Sequence, residues 1–309
     1  MSLISTQQLS KVYQVGYKKE IIRALHNVTI EVDSGEVVAL LGLNGAGKTT
    51  FVKLLLGLTF PTGGTGLVFG KPLGEGSIRN RIGYLPEQHH YPPFLTATKS
   101  LSLFAQLHGE TGSRIQKRIT EVIQLVGLSD YTHLRIQKYS KGMKQRLGLA
   151  HAVLLDPDLI ILDEPTEGLD PIARKEIREL LIHLQSEGKT IFLNSHVLSE
   201  VERICNRAII LKKGDILRKG TLNEIIGNFR GYIIEVADTP PGSSLPSSVP
   251  LQTHPEGFLL ESTDPTELNH VIDALRQADL HILGIRRLQS NLEEQFINLV
   301  GDPADGGLV

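Results

Sequence analysis

Residues 36–49 read Glu-Val-Val-Ala-Leu-Leu-Gly-Leu-Asn-Gly-Ala-Gly-Lys-Thr, and this stretch decides the fold. Its first half, Glu36–Gly42, is a continuous apolar run, the pattern of a strand buried on both faces in a parallel sheet. Its second half, Gly42-Leu43-Asn44-Gly45-Ala46-Gly47-Lys48-Thr49, matches G-x-x-x-x-G-K-S/T. The glycines let successive backbone N–H groups turn inward around an anion. A helix is predicted to start near Gly47 and to continue through Thr50 to Leu56, with Gly57 as its end, and it aims its positive end at the same anion. Lys48 then supplies a flexible charge between β and γ phosphates, and Thr49 a hydroxyl for Mg²⁺. A buried strand before the loop and a helix after it separate this motif from a chance glycine-rich turn.

Working outward, three more apolar runs read as strands: Leu159–Asp163, Thr190–Asn194, and the segment from Ala208 to Gly220. The first two are separated by a helix with Asp170 as N-cap, Pro171 in its first turn and Gly188 past its end. Ile177, Leu180, Leu181 and Leu184 share one face of that helix. Strand, helix, strand in this order is a parallel crossover. The first strand ends in two acids, Asp163 and Glu164, where open α/β sheets bind their ligands. Asp163 suits a Mg²⁺ shell and Glu164 suits polarising an attacking water. Two acids solvating a strand end is the bland alternative, and the phosphate loop argues against it.

Residues 1 to about 35 alternate apolar and polar side chains, as edge or half-buried strands do, and residues from about 93 to 155 read as a helical insertion. After about residue 228 the character changes. Tyr232–Ala237, Phe258–Glu261 and His281–Leu288 read as strands, with the loop Thr-Pro-Pro-Gly-Ser-Ser-Leu-Pro-Ser-Ser-Val-Pro between the first two. Asp264-Pro265-Thr266-Glu267 starts a helix with the stripe Leu268, Val271, Ile272 and Leu275. Ser290-Asn291-Leu292-Glu293 reads as a capping box for a last helix bearing Leu292, Phe296, Leu299 and Val300. Two domains are expected, 1–227 and 228–309.

Composition excludes several classes. A net charge of −2 over 309 residues gives no sign of a chain held to nucleic acid by its charge. One cysteine, Cys205, allows neither an intramolecular disulfide nor a multi-cysteine zinc site and fits a reducing compartment. No secretory signal or membrane span is read: the uncharged stretch Leu54–Gly70 is broken by Pro61 and glycines, and Thr239–Pro255 is rich in Pro and Ser. Any membrane role has to come through a partner. His89 and His90 have no acid or thiol at metal-ligand spacing, and His254, His270 and His281 form no motif.

A third segment narrows the reading. Tyr139-Ser140-Lys141-Gly142-Met143-Lys144-Gln145-Arg146-Leu147 resembles the signature of ABC (ATP-binding cassette) ATPases, usually written L-S-G-G-Q followed by Q-R. Ser140 is a natural N-cap, and the helix it opens presents free N–H groups to an anion; an ordinary capped helix is the bland alternative. Lys141 stands where the pattern has glycine and Met143 where it has glutamine. Variants of this kind resemble the exporter branch with separate membrane subunits, as does Asn291-Leu292-Glu293-Glu294-Gln295-Phe296 near the carboxyl terminus. No N/T-K-x-D guanine motif is present.

The resemblance implies an α/β fold: a P-loop NTPase parallel sheet core with an antiparallel β part and a helical insertion, plus a small α+β carboxyl-terminal domain. It implies an ATPase that binds ATP and Mg²⁺. Gln88 looks like the glutamine that reaches Mg²⁺ and links core to helical part. Asp170 resembles a loop residue crossing a dimer interface, beside its N-cap role. His196 resembles the histidine that contacts the γ-phosphate. Tyr13 resembles the aromatic that stacks on adenine, with a strand tyrosine in a small core as its alternative. Ser140 and Gly142 would close over ATP held by the phosphate loop of a second cassette, either another copy of this chain or a related one. The implied partner is a transmembrane permease, which places the chain at the cytoplasmic face of the membrane. The rival class is a non-transport cassette ATPase, a regulatory switch or one acting on nucleic acid or ribosomes. One compact cassette without a long coiled-coil insertion argues against it.

Overall fold

The structure is a computed structural model and describes residues 2–15, 20–227, 231–237, 251–254, 257–278, 280–288 and 291–301. In chain order, β1 (Ser2–Val15), β2 (Glu20–Val28), β3 (Glu31–Asp33) and β4 (Val37–Gly42) lead into α1 (Lys48–Leu55). Next come β5 (Gly63–Val68), β6 (Lys71–Pro72) and β7 (Ile82–Leu85). Three helices follow, α2 (Ala97–Leu107), α3 (Ser113–Leu125) and α4 (Lys141–Val153). The chain returns to the sheet with β8 (Leu159–Asp163), α5 (Pro171–Ser186), β9 (Thr190–Asn194), α6 (Leu198–Ile204), β10 (Arg207–Lys212) and β11 (Asp215–Thr221). The remainder comprises α7 (Leu222–Ile226), β12 (Gly231–Val236), β13 (Leu251–His254), β14 (Gly257–Leu260), α8 (Pro265–Gln277), β15 (Ile282–Leu288) and α9 (Leu292–Val300).

Two compact units emerge, Met1–Leu222 with Leu299–Val309, and Asn223–Asn298. This division falls a few residues ahead of the border expected at 227/228 and assigns the end of α9 to the first unit.

In the first unit a six-stranded sheet runs β11-β10-β4-β9-β8-β7. All neighbours are parallel except the β10–β11 hairpin. Every residue of β8 and β9 is buried, and so are the first five of β4, which is why those sequences are continuously apolar. The second sheet is antiparallel, β2-β1-β5-β6, with β3 also on β1. One apolar cluster joins the two sheets through α1, whose Phe51, Val52, Leu54 and Leu55 are buried, with the Phe51 and Phe192 rings 5.7 Å apart. The helix behind the phosphate loop is thereby anchored from both sides.

The stretch Leu54–Gly70, broken by Pro61 and glycines, nevertheless contains β5. Its Gly63, Gly64 and Gly66 hide a strand from any propensity argument. Gly64 is required by close approach, because a side chain there would meet the Gln8 carbonyl, and a side chain at Gly66 would press on that of Leu73.

The second unit is a four-stranded antiparallel sheet, β13-β14-β12-β15, with Val271 and Leu275 of α8 packed against Tyr232, Ile234, Phe258 and Leu260. Asp264 caps α8, its carboxylate accepting from the Thr266 N–H at 2.8 Å. Strand β13 was missed in the sequence because it follows the Pro/Ser-rich stretch; the loop expected at 239–250 lies outside the described residues. The cap of α9 is Asn291, whose Oδ1 accepts from the Glu294 N–H at 2.7 Å, one residue later than the expected Ser290, itself outside the described residues.

Candidate functional site

The phosphate loop joins β4 to α1. Gly47, the N-cap of α1, has φ +106°, and a Cβ there would come within 2.4 Å of the Ala24 carbonyl oxygen, so only glycine fits. The loop is pinned from behind: the Gly214 N–H donates to the Ala46 carbonyl at 3.0 Å, and the His26 N–H to the Gly214 carbonyl at 2.8 Å. Gly47 offers no side-chain cap, so the first-turn N–H groups of α1 have no partner from the capping residue, an arrangement suited to an anion. Gly42 ends β4; Asn44, Gly45 and Ala46 lie in the turn that follows, and Thr49 and Thr50 in the first turn of α1. Lys48 Nζ donates to the carbonyls of Gly42 at 2.7 Å and Leu43 at 3.2 Å. Burial holds its ammonium pKa below the usual lysine value, against the opposing pull of Glu164, Asp163 and Glu87.

Asp163 and Glu164 lie at the carboxyl end of β8, next to the end of β9, with Asp163 registered on Asn194. Burial raises the Asp163 carboxyl pKa; the Asn194 side-chain amide donates to its Oδ1 and works the other way, while Glu164 and Glu87 add to the rise. Glu164 has φ +51°, a left-handed backbone that costs an ordinary residue about 1–2 kcal/mol. Its backbone is held at both ends, the N–H donating to the Asn194 carbonyl at 2.8 Å and the carbonyl lying 3.5 Å from Gln145 Nε2. Its carboxylate, 9% exposed, meets His196 twice: Oε1 is 2.9 Å from Nδ1, and Oε2 accepts from the His196 N–H at 3.2 Å. The structure therefore brings together Asp163, Glu164 and His196, and it adds Asn194 and Gln145, which the sequence reading did not assign. The signals available were a polar residue closing a buried run, Asn194 after Thr-Ile-Phe-Leu, and a buried polar residue, Gln145, near the start of α4.

Ser140 caps α4, its Oγ accepting from the Met143 N–H at 3.2 Å. Helix geometry leaves the Lys141 and Gly142 N–H groups without partners inside the helix. The buried Tyr139 anchors this end through its hydroxyl, which donates to the Tyr131 carbonyl at 3.1 Å. Lys141 reaches over Gly168, its ammonium filling the space a Cβ there would take. Asp170 caps α5, accepting from the Ala173 N–H at 2.9 Å.

Gln88 is exposed on the loop after β7 and is not drawn into the cluster. Tyr13 is half-buried on β1, and Lys11 Nζ sits 4.9 Å from its ring centroid.

No three His, Cys, Asp or Glu side chains among the described residues converge on a metal position. One carboxylate beside a phosphate loop and a threonine hydroxyl instead suits Mg²⁺, which keeps waters and substrate phosphates in its shell. The fit is supported by a buried acceptor beside Asp163: no donor among the described residues reaches Asn194 Oδ1.

Residues 25–167 match the family model described as ABC transporter. An uncharacterised ABC transporter ATP-binding protein of Nostoc sp. is 39% identical over 97% of this chain and 90% of its own length. A Nod factor export ATP-binding protein I of Cupriavidus pinatubonensis is 34% identical over 90% of this chain and 86% of its own length. Among solved structures, the ATP-binding cassette MJ0796 in a dimeric post-hydrolysis state bound to ADP and Pi superposes with TM-score 0.65 at 28% identity, over 71% of this chain and 98% of its own. With a nucleotide loop, an acid pair and a capped signature helix in one unit, the chain belongs to the ABC transporter family as an ATP-binding cassette ATPase.

Proposed function

We propose that this chain powers movement of a cargo, in the outward direction, through a separate membrane-spanning permease at the cytoplasmic face of the membrane. The observation that carries the reading is that one chain holds two differently prepared helix N-termini. The N-terminus of α1 lies behind a phosphate loop with Lys48, and that of α4 is capped by Ser140 with its next N–H groups open. Two cassettes facing head to tail would pair them over two ATP molecules. Lys48 would turn from its loop carbonyls to the β and γ phosphates, Ser140 and Gly142 of the second cassette would meet the γ-phosphate, and Tyr13 would stack on adenine. Asp170 would lie at the boundary between the two cassettes.

Glu164, oriented by His196, accepts the proton of the attacking water, and the imidazole faces the γ-phosphate. Thr49, Asp163 and Gln88 would hold Mg²⁺, which when bound neutralises charge on the phosphates. Gln88 would carry the change to the helical part at 93–155 and so to the permease. Residues 1–227 would form the working cassette and 228–309 an extension. The outward direction draws on the relative named for Nod factor export and on the signature variant. Among the described residues no helix is long and apolar enough to cross a membrane, which supports a separate spanning partner.

Mixing two defective variants tests the shared site. Lys48→Ala and Ser140→Arg chains should each be nearly inactive, and their mixture should regain hydrolysis because a mixed pair contains one intact site. A mixture no more active than its components contradicts the arrangement. Co-purification with a multi-span membrane protein tests the transport role, and recovery of the native chain only on ribosomes or DNA contradicts it.

A further inference from the structure

Asn194 closes β9 at the point where the two acids emerge from β8, and it is 3% exposed. It contacts both acids. Its side-chain Nδ2 donates to Asp163 Oδ1, and its main-chain carbonyl accepts from the Glu164 N–H at 2.8 Å. The first contact fixes which way the amide faces, because the opposite orientation would set its carbonyl against the Asp163 carboxylate. With the amide so fixed, Asn194 Oδ1 occupies a defined buried position, and no donor among the described residues reaches it. Buried acceptors are normally satisfied, so this oxygen is prepared for a donor that arrives with the ligand. Beside a carboxylate reserved for a divalent cation, a donor of the right kind is a water molecule bound to that cation, since outer-shell partners of metal ligands orient both the ligand and the shell.

We infer that Asn194 is a positioning residue for the divalent cation: its amide orients Asp163 and its carbonyl oxygen accepts a hydrogen bond from a water of the cation's shell. The inference rests on the metal assignment proposed above. It places a specificity element on β9, two residues before His196, so that one strand end supports the cation side and the water side of the reaction together. The Asn194 side chain bonds to Asp163 and, among the described residues, not to the phosphate loop or α4, so nucleotide binding without metal is expected not to depend on it.

The test uses the purified full chain with Asn194→Leu, which keeps the shape and the main-chain bond to Glu164 but removes the side-chain donor and acceptor, and Asn194→Ser, which keeps a shorter donor and acceptor. Mn²⁺ affinity is read by electron paramagnetic resonance at saturating ADP, and affinity for a fluorescent nucleotide is read in EDTA. The leucine variant should bind Mn²⁺ about 10–100-fold more weakly, the serine variant should fall between it and wild type, and EDTA-condition nucleotide affinity should hold within about twofold. Turnover in both should fall through kcat with little change in KM for nucleotide. Unchanged Mn²⁺ affinity in the leucine variant overturns the inference, and so does a parallel loss of metal-free nucleotide binding. If the leucine chain does not fold, an unchanged Mn²⁺ affinity in the serine variant overturns it equally. Wild type that binds no Mn²⁺ with nucleotide present removes the metal assignment itself, a result distinct from either.

Discussion

The carboxyl ends of β8 and β9 and the segment around His151 both bury polar side chains, and they handle the burden in opposite ways. At the strand ends Asp163 carries a raised pKa, Glu164 holds a left-handed backbone, and no donor among the described residues reaches Asn194 Oδ1. Around His151 nothing is left over. Its Nε2 is 3.1 Å from Ser100 Oγ, the Tyr91 ring stacks on it at 4.7 Å and 11°, and Phe104 meets it edge-on at 5.0 Å. Burial, with a smaller contribution from nearby His89, lowers the His151 pKa to about 4, so the imidazole is neutral at working pH. The first region gives up stability to hold reactive groups ready. The second ties α2, α4 and the segment after Gln88 together by neutral, satisfied packing. Substitutions at the strand ends should therefore strike the reaction and spare the fold, and substitutions near His151 should do the reverse.

The sharpest break is Glu164→Gln. Loss of a general base should lower kcat by about 10²–10⁴-fold and leave ATP binding intact, with a melting temperature equal to or above wild type. Steady-state phosphate release and a thermal melt check both halves, and undiminished turnover contradicts the role. Lys48→Ala comes next, with hydrolysis about a hundredfold slower and weaker nucleotide binding by titration. Normal values for both would remove Lys48 from the site.

The other region is probed by pH. The folded pKa of His151, about 4, lies below the 6.5 usual for histidine, so the unfolded chain binds more protons between those values. The stability His151 contributes is whole above pH 6.5 and is lost as pH falls toward 4, about 2 kcal/mol of it by pH 5. The groups facing it are His89 and Tyr91 from the loop after β7, Ser100 and Phe104 from α2. Urea unfolding at pH 7.5 and 5 should show this loss in wild type and a smaller one in His151→Phe. The smallest effect expected is Ser140→Ala, about 1 kcal/mol of stability from the lost cap, read in the same unfolding assay on the isolated chain.

The sequence showed the parallel core plainly, because β4, β8 and β9 are buried on both faces and admit almost nothing but apolar residues. Motifs at strand and helix ends were equally visible: Lys48, Asp163, Glu164, Ser140 and Asp170 each sit where a local rule places them. Elements defined by another part of the chain were not. Strand β5 is glycine-rich because Gln8 and Leu73 press against it, which is a fact of packing. The place of Asn194 depends on its pairing with Asp163 across two strands separated by a helix. Gln145 approaches Glu164 only once α4 is packed against the sheet.

The two helix N-termini are proposed to serve one ATP from two chains. Sedimentation velocity on Glu164→Gln, which binds ATP and hydrolyses it slowly, tests this most directly. A dimer with ATP and a monomer with ADP are expected. A chain that binds ATP and stays monomeric across the concentration range would contradict it.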